Sequence, residues 1–529
     1  MKLPTTLKSD VISGLLVFLI ALPLCLGISM ASGVPPIAGI FTAIVGGLLV
    51  SFLGSSRLTI KGPAAGLIVI VLGAVTELGA GNLTDGYRRA LAVAMVAGVI
   101  QVILALTRAG ALGDLMPSAV VHGMLAAIGV IIIAKQAHVA LGVTPEGKEP
   151  LHLLAEIPKS LANLNPEVFS IGLLALIILF CLPMVKVKWV RQIPGPMLVL
   201  LAAIPLGIYF DLEHKHIYQM FQHDYSVGPN FLIRLPASLM SAITFPDFSM
   251  ITSLTSIKYV VMFALVGTIE SLLSVTAVDA LDPERRASDL NKDLLATGIG
   301  NTLVAAIGGI PMISEIVRSK ANIDNGAKSE WSNFFHGMFL LLSLTLIPGL
   351  LQEIPLAALA AMLIYTGTRL ASPKEFLHVY KIGPEQLFLF VSTMVVTLAT
   401  DLLIGVGFGL ILKLLLHIKN GAPLKSLFRV VVTEKTNGDE LTLVIHDAAI
   451  FTNYLGLKKR LSKVPKGIKR VVLDFEYAWV VDHTVLHKLH SIARDSRDFE
   501  LVLSGLDNHT ATSDHELAAR RKRRQYVAA

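Results

Sequence analysis

The chain of 529 residues is 53% hydrophobic and only 16% charged, with a mean hydropathy of +0.68 and a formal net charge of +7. Roughly 25% charge is normal for a soluble domain, so a soluble fold would have to bury many apolar stretches long enough to cross a bilayer. An ordinary cytosolic enzyme is excluded and a membrane protein is expected.

Charge is unevenly spread. The first 420 residues hold 27 Lys+Arg and 25 Asp+Glu, whereas the last 109 hold 18 and 13. A membrane domain over 1–420 is therefore expected, followed by a small soluble domain over 425–510 and a basic tail over 511–529. The closing run Arg520-Arg521-Lys522-Arg523-Arg524 reads as a solvated tail near anionic headgroups, not as a nucleic-acid contact. The only two cysteines, Cys25 and Cys181, each sit inside an apolar run, which argues against a disulfide framework or a cysteine metal site and casts both as packing residues.

At the N-terminus, Lys2 and Lys8 precede an apolar run from Val11. No small-residue cleavage site ends it, so it reads as a retained first helix. Apolar runs then predict fourteen spans, near 11–31, 36–53, 63–78, 88–107, 118–137, 168–185, 195–210, 254–278, 294–308, 314–325, 333–351, 355–369, 384–400 and 402–419. Placing Lys2 and Lys8 inside also puts Arg57, Arg108, Lys186, Lys188, Arg191, Arg285, Arg286, Lys292, Lys320, Lys328, Arg369, Lys374, Lys381, Lys413 and Lys419 on the cytoplasmic side. Both termini are then cytoplasmic.

Two spans are too short to cross as full helices. The third opens on extended Leu58-Thr59-Ile60-Lys61 and breaks at Gly62-Pro63; the tenth is broken by Gly308-Gly309-Ile310-Pro311. They sit at matching places in two seven-span halves. An extended piece followed by a half-helix, repeated with opposite topology, would bring two helix N-termini face to face at the midplane, where free N–H groups and positive dipole ends attract anions. The half-helices are expected to start at Pro63 and near Ser314.

Ionisable residues inside spans mark function. Glu270 is too deep in span eight to reach water, and Ser274 lies one turn on along the same face; a carboxylate beside a hydroxyl suits an H⁺ carrier or part of a Na⁺ site. Arg318, in the first turn of the second half-helix, can hold an oxyanion in bidentate fashion. Glu315 beside it would repel an anion unless protonated, bound to a cation, or paired with Lys61 or Arg318. Gly405-Val406-Gly407-Phe408-Gly409 lacks a βαβ context and reads as helix packing. His122, His138, His336 and His417 have no metal-ligand spacing, and helix-end or core roles are expected for them. No catalytic constellation and no Walker sequence is present, so neither an enzyme nor an ATP-driven pump is indicated.

At these residues the chain resembles the sulfate permease (SulP) family, the bacterial relatives of mammalian solute carrier family 26. The stretch from Ala21-Leu22-Pro23 to Gly33-Val34-Pro35-Pro36-Ile37-Ala38-Gly39 resembles the family's opening motif. Glu270-Ser271-Leu272-Leu273-Ser274, Asn291, Gly298-Ile299-Gly300-Asn301, Gly308-Gly309-Ile310-Pro311, Arg318-Ser319, Asn322 and Gly326-Ala327 follow its most specific stretch in order and spacing. The resemblance implies an α-helical polytopic fold of about fourteen segments, a seven-plus-seven inverted repeat with core and gate domains, usually dimeric, transporting by an elevator-like movement. From about Val430 the tail resembles a small α/β STAS domain, truncated soon after Phe499–Ser504, with Asp482-His483-Thr484 where the family often has an Asp-Ser-Ser-like turn; His483 departs from that pattern. The Glu315-Ile316-Val317-Arg318-Ser319 variant, with Phe334-Phe335-His336-Gly337 after it, resembles a subgroup associated with carbonic anhydrase partners.

The expected function is secondary active transport of a small inorganic anion, bicarbonate before sulfate, across a bacterial inner membrane, with no cofactor beyond Na⁺ or H⁺ as coupling ion. Substrate contacts are expected from Lys61, Gly62, Pro63, Ala64, Ser314, Glu315, Ile316, Val317 and Arg318, and coupling from Glu270 and Ser274. An anion channel and a dicarboxylate carrier are the competing expectations.

Overall fold

The structure is a computed structural model that describes residues 6–147, 149–186, 193–220, 223–236, 239–465, 467–495 and 499–523. Lys2, Lys188, Arg191 and Arg524 lie outside the described residues. The chain divides into two compact units, residues 1–110 with 128–370, and residues 111–127 with 371–529.

Among the described residues, fourteen helical segments that correspond to the predicted spans run in chain order through residue 419; the tenth, Ile316–Asp324, is polar, with Arg318, Lys320 and Asp324. The first seven are α1 (Leu7–Ala31), α2 (Ile37–Leu53), α3 (Ala65–Gly79), α4 (Leu83–Leu106), α5 (Ser118–Ala140), α6 (Pro166–Met184) and α7 (Gly195–Tyr209). The second seven are α8 (Leu254–Leu281), α9 (Leu290–Ala306), α10 (Ile316–Asp324), α11 (Trp331–Leu346), α12 (Leu356–Leu370), α13 (Pro384–Ala399) and α14 (Leu402–Lys419). Among the described residues, six of these are long and apolar enough to cross a bilayer alone: α1, α4, α5, α6, α8 and α14. Cys25 is buried as expected, whereas Cys181 is exposed. The connection between α5 and α6 contains a helix at Pro150–Ala162, and that between α7 and α8 a hairpin of β2 (His216–Met220) with β3 (His223–Val227).

Within the first unit two packing groups are evident. In one, α4 packs along α9 and against α3 and α8, while α1 packs along α11. The α4–α9 approach depends on glycine: a β-carbon at Gly98 would stand 2.7 Å from the Thr302 nitrogen, and one at Gly298 would stand 2.8 Å from the Val102 nitrogen. Small residues let helix backbones close to this distance, where dispersion replaces the hydrophobic effect as the force between helices in lipid. In the other group α6 packs against α7 and α12 around Val168, Ile171, Ala175, Val199, Ala358 and Met362.

The third segment of each series is a strand followed by a short helix. β1 (Ile60–Pro63) precedes α3, and β4 (Met312–Glu315) precedes α10. The two strands pair antiparallel, with Ile60 opposite Glu315, Lys61 opposite Ser314, Gly62 opposite Ile313 and Pro63 opposite Met312. The helices leave this ladder in opposite senses, which is the inverted relation expected from the two chain breaks.

In the second unit the C-terminal domain is a mixed sheet with β5 (Val431–Asn437), β6 (Glu440–Ala449), β7 (Arg470–Asp474), β8 (Ala478–Val481), β9 (Glu500–Ser504), β10 (His509–Ala511) and β11 (Arg520–Lys522). The helices Tyr454–Leu461 and His483–Asp495 cover it. β6, β7 and β9 are parallel neighbours, an arrangement consistent with the expected STAS-like α/β domain. The expected solvated tail is corrected here: Arg520–Lys522 is a strand, paired with β8 and β10. Its side chains have partners within the unit, Arg521 with Glu385 and Lys522 over the rings of Tyr477 and Trp479, so the run is held by sheet hydrogen bonds and local charge instead of by lipid headgroups.

The expected turn at Asp482 is also a structural anchor. The carboxylate is fully buried, 2.8 Å from Lys413 Nζ and 3.6 Å from His417 Nε2, both on α14. Burial opposes the charge of Asp482, but Lys413 and then His417 outweigh it and hold the carboxyl well below the usual range. A depressed carboxyl pKa stabilises the fold above its unfolded value and loses that contribution as pH falls below it. Asp482→Asn is expected to destabilise the domain by about 3–5 kcal/mol at neutral pH by leaving the Lys413 charge buried alone. The gap from wild type should close as pH falls below about 4. Thermal unfolding of the detergent-purified protein across this range checks it, and equal melting temperatures at neutral pH would refute the anchor.

Candidate functional site

The β1–β4 ladder is the floor of the site, and side chains from four elements lock it. Lys61, 1% exposed, is ion-paired with Asp293 in the first turn of α9, also 1% exposed. Lys61 Nζ donates to Ser314 Oγ at 2.5 Å, and Ser314 Oγ donates to Asp293 Oδ2 at 3.3 Å. The Ser314 backbone N–H donates to Ser271 Oγ of α8 at 3.2 Å. At the entrance to β4, Asn301 accepts from the Met312 N–H at 2.6 Å and donates to the Met312 carbonyl at 3.1 Å and to Gln101 at 2.8 Å. On the other side Ser319 Oγ accepts from the Ile60 N–H at 2.8 Å, and Asn322 donates to the Leu58 carbonyl at 3.0 Å. The first break is thus held by Asp293, Ser319 and Asn322 of the second half, and the second by Lys61 of the first half together with Ser271 and Asn301 of its own.

The expectation for Lys61 is corrected by this arrangement. Its charge is neutralised by Asp293, so it is not the partner of Glu315 and does not offer a free cation to an anion. The serine tied into the network is Ser271, not Ser274, because β4 passes over the turn that carries Ser271; Ser274 is half-buried one turn further on. The half-helices begin later than expected. Pro63 and Ser314 remain in the strands, and the helices open at Ala65 and Ile316.

Around the two helix starts the remaining predicted residues converge. Ala64 precedes α3 in an extended conformation and is 1% exposed, and Glu315 does the same before α10; neither helix has a cap from its own preceding side chain. The first N–H groups of both helices therefore need partners from elsewhere. The Arg318 guanidinium is buried at 2% exposure; its Nη1 donates to Cys25 Sγ at 3.5 Å and lies where a β-carbon on Gly62 would come within 2.6 Å. Its Nε has no partner among the described residues. Ile316 and Val317 open α10 and each leave 41% of their surface exposed.

Glu270, 7% exposed, lies over the first turn of α3: a β-carbon on Gly66 would stand 2.1 Å from its Oε1, so glycine alone fits there. Among the described residues Glu270 has no ion pair, and its Oε1 has no hydrogen-bond partner. His336, fully buried on α11, meets Asn333 through Nδ1 at 3.3 Å and leaves Nε2 unpartnered. The other histidines do structural work: His138 sits between Ser160 Oγ at 2.8 Å and the Leu153 carbonyl at 3.0 Å, and His122 meets Glu375.

Sequence reasoning missed Asp293, Ser271 and Gln101. Asp293 carried a legible signal, an acidic residue at the mouth of an apolar span that would need a buried cation; Ser271 and Gln101 carried none beyond their polarity.

A buried cation, a buried carboxylate and two helix ends lie around a strand pair, an arrangement whose chemistry suits an anion with a proton or a cation beside it. The profile of the Sulfate permease family matches residues 7–393. YvdB of Bacillus subtilis (strain 168) is 28% identical over 414 residues, 78% of this chain and 74% of its own length. The bicarbonate transporter BicA of Picosynechococcus sp. is 25% identical over 439 residues, 82% of this chain and 74% of its own. A solved structure of the transmembrane domain of a cyanobacterial BicA superposes with a TM-score of 0.65 at 24% identity, covering 76% of this chain and 98% of that one. With the family profile spanning most of the chain and the fold shared, this protein is a membrane anion transporter of the Sulfate permease family.

Proposed function

We propose that the chain is a secondary active transporter of a small inorganic oxyanion, bicarbonate in preference to sulfate, coupled to Na⁺ or H⁺ and working by an elevator-like movement. The observation that carries this reading is the convergence of Arg318 and the α3 and α10 N-termini on the β1–β4 ladder, with Glu270 beside them. A guanidinium and helix N–H groups fit planar or tetrahedral oxyanions. The likeness to a bicarbonate transporter and the Glu315-Ile316-Val317 sequence, which offers few hydroxyls before Arg318, favour bicarbonate. Gly62, Pro63, Ala64, Ser314, Ile316 and Val317 then shape the site through their backbones, and Glu270 carries the coupling. Ser274 adds a hydroxyl to it. We further propose a homodimer with cytoplasmic termini and a functional link to carbonic anhydrase.

The test is uptake of labelled bicarbonate and labelled sulfate into proteoliposomes under an imposed Na⁺ gradient and, separately, an imposed pH gradient. Bicarbonate uptake driven by Na⁺ or by H⁺ and lost in Arg318→Ala is the expected result. Sulfate uptake alone would overturn the substrate preference. Large unitary currents without saturation would favour a channel, and undiminished uptake by Arg318→Ala would overturn the site.

A further inference from the structure

A short helix, Pro373–Ile382, follows α12 after Ala371 and Ser372 and is joined to α13 by Gly383 alone. Links this short keep it at the level where membrane helices end, which is the headgroup layer of a bilayer. Around its axis the sequence divides into two arcs. Val379 and Ile382 are buried, and Phe376 meets Phe390 of α13 edge to face with ring centroids 4.6 Å apart. The apolar arc then continues outward over Tyr380 and Leu377, which are 59% and 61% exposed. Next to Leu377 stand Lys381 and Lys374, both exposed, on one face and about 10 Å apart along the axis, with exposed His378 beyond them. Among the described residues neither lysine ammonium has an ion pair or a hydrogen bond. The nearby carboxylates are committed elsewhere, Glu375 to His122 and Glu385 to Arg521. Both ends of the helix are tied: the Lys374 N–H donates to Ser372 Oγ at 3.3 Å, and Ser513 Oγ donates to the Ile382 carbonyl at 2.7 Å.

We propose that the outer face of Pro373–Ile382 is a binding site for anionic phospholipid: Leu377 and Tyr380 enter the acyl boundary, and Lys374 and Lys381 hold the phosphate of the headgroup. An apolar arc that merges into a basic one is the pattern of a helix lying in a bilayer interface. The two parts of the site act differently. Each lysine close to an anionic surface strengthens binding about fivefold, a contribution that salt screens. Burial of Leu377 and Tyr380 owes nothing to headgroup charge and is not screened. A free phosphate ion gains only the first contribution, so the site favours a lipid over a soluble anion. The headgroup contact that the basic run at 520–524 suggested is supplied instead by a helix placed between two membrane segments.

The experiment has two readouts on the full chain. In nanodiscs of phosphatidylcholine with phosphatidylglycerol, a nitroxide on Leu377→Cys, in a Cys181→Ala background, should be relaxed by oxygen and shielded from a water-soluble nickel chelate. In detergent, the phosphatidylglycerol concentration that half-maximally raises the melting temperature should be about tenfold or more higher for Lys374→Gln with Lys381→Gln than for wild type. If the double variant does not fold, each single variant should show a shift of about fivefold. Phosphatidylcholine, inorganic phosphate and glycerol phosphate at the same concentrations should leave the melting temperature unchanged. A nitroxide open to the nickel chelate, or a wild-type response to phosphatidylglycerol in the lysine variants, would overturn the proposal. An equal effect of inorganic phosphate would overturn lipid as the ligand. Arg318→Ala should respond to phosphatidylglycerol as wild type does; a response lost there and kept in the lysine variants would place the lipid at the anion site and overturn the assignment to this helix.

Discussion

Glu270→Gln is expected to reduce gradient-coupled anion uptake to the background of empty liposomes while leaving the protein folded and no less stable than wild type. The second half of that expectation is the more telling. Glu270 is 7% exposed, has no ion pair among the described residues, and faces a second carboxyl group, Glu315. A buried carboxyl with no partner costs free energy whether or not it is ionised, so a neutral isostere of the same shape should not weaken the fold. In the proposed coupling role that cost is offset by a proton or Na⁺, the ligands that a lone carboxyl takes. The glutamine keeps the shape needed over Gly66 and loses only the ability to exchange charge. Melting temperature and monodispersity of the purified variant, together with uptake under Na⁺ and pH gradients, check both halves. Undiminished, still gradient-dependent uptake would remove Glu270 from the coupling role, and a large loss of stability would show that its carboxylate has a structural partner.

The opposite pattern is expected at the Lys61–Asp293 pair. Asp293→Asn leaves a lysine ammonium 1% exposed with no countercharge, and breaking one side of a buried pair costs about 3–5 kcal/mol, a large part of the roughly 5–15 kcal/mol that holds a typical domain together. The loss should spread beyond the pair, because Ser314 is held by both partners and in turn holds β4 against α8 through Ser271. Lys61→Met alone should do equal harm by stranding the carboxylate. The double variant Lys61→Met with Asp293→Leu should recover most of the stability, since well-packed apolar residues often replace a buried ion pair without loss. Melting temperatures of the three variants form a double-mutant cycle; additive losses would show that the two charges do not depend on each other.

The sequence by itself determined the membrane class, the number and approximate ends of the spans, and the two places where a span must break. Those properties are local. Twenty apolar residues have few stable states other than a helix in lipid, and Gly62-Pro63 and Gly308–Pro311 interrupt a helix wherever they occur. A separate small domain after residue 420 was legible from the rise in charge, and its α/β character from the resemblance of the tail to a STAS domain. What only the tertiary structure decided is which polar residue meets which. Lys61 finds Asp293 across 232 residues of chain, Ser271 and not Ser274 reaches Ser314, Asp482 closes on Lys413, and Arg520–Lys522 becomes a strand. Each of these outcomes depends on the register of one element against another that is distant in the chain. A shift of a single residue in the β1–β4 ladder would carry Lys61 away from Ser314 and Ile60 away from Glu315 without altering any local pattern of hydropathy or spacing.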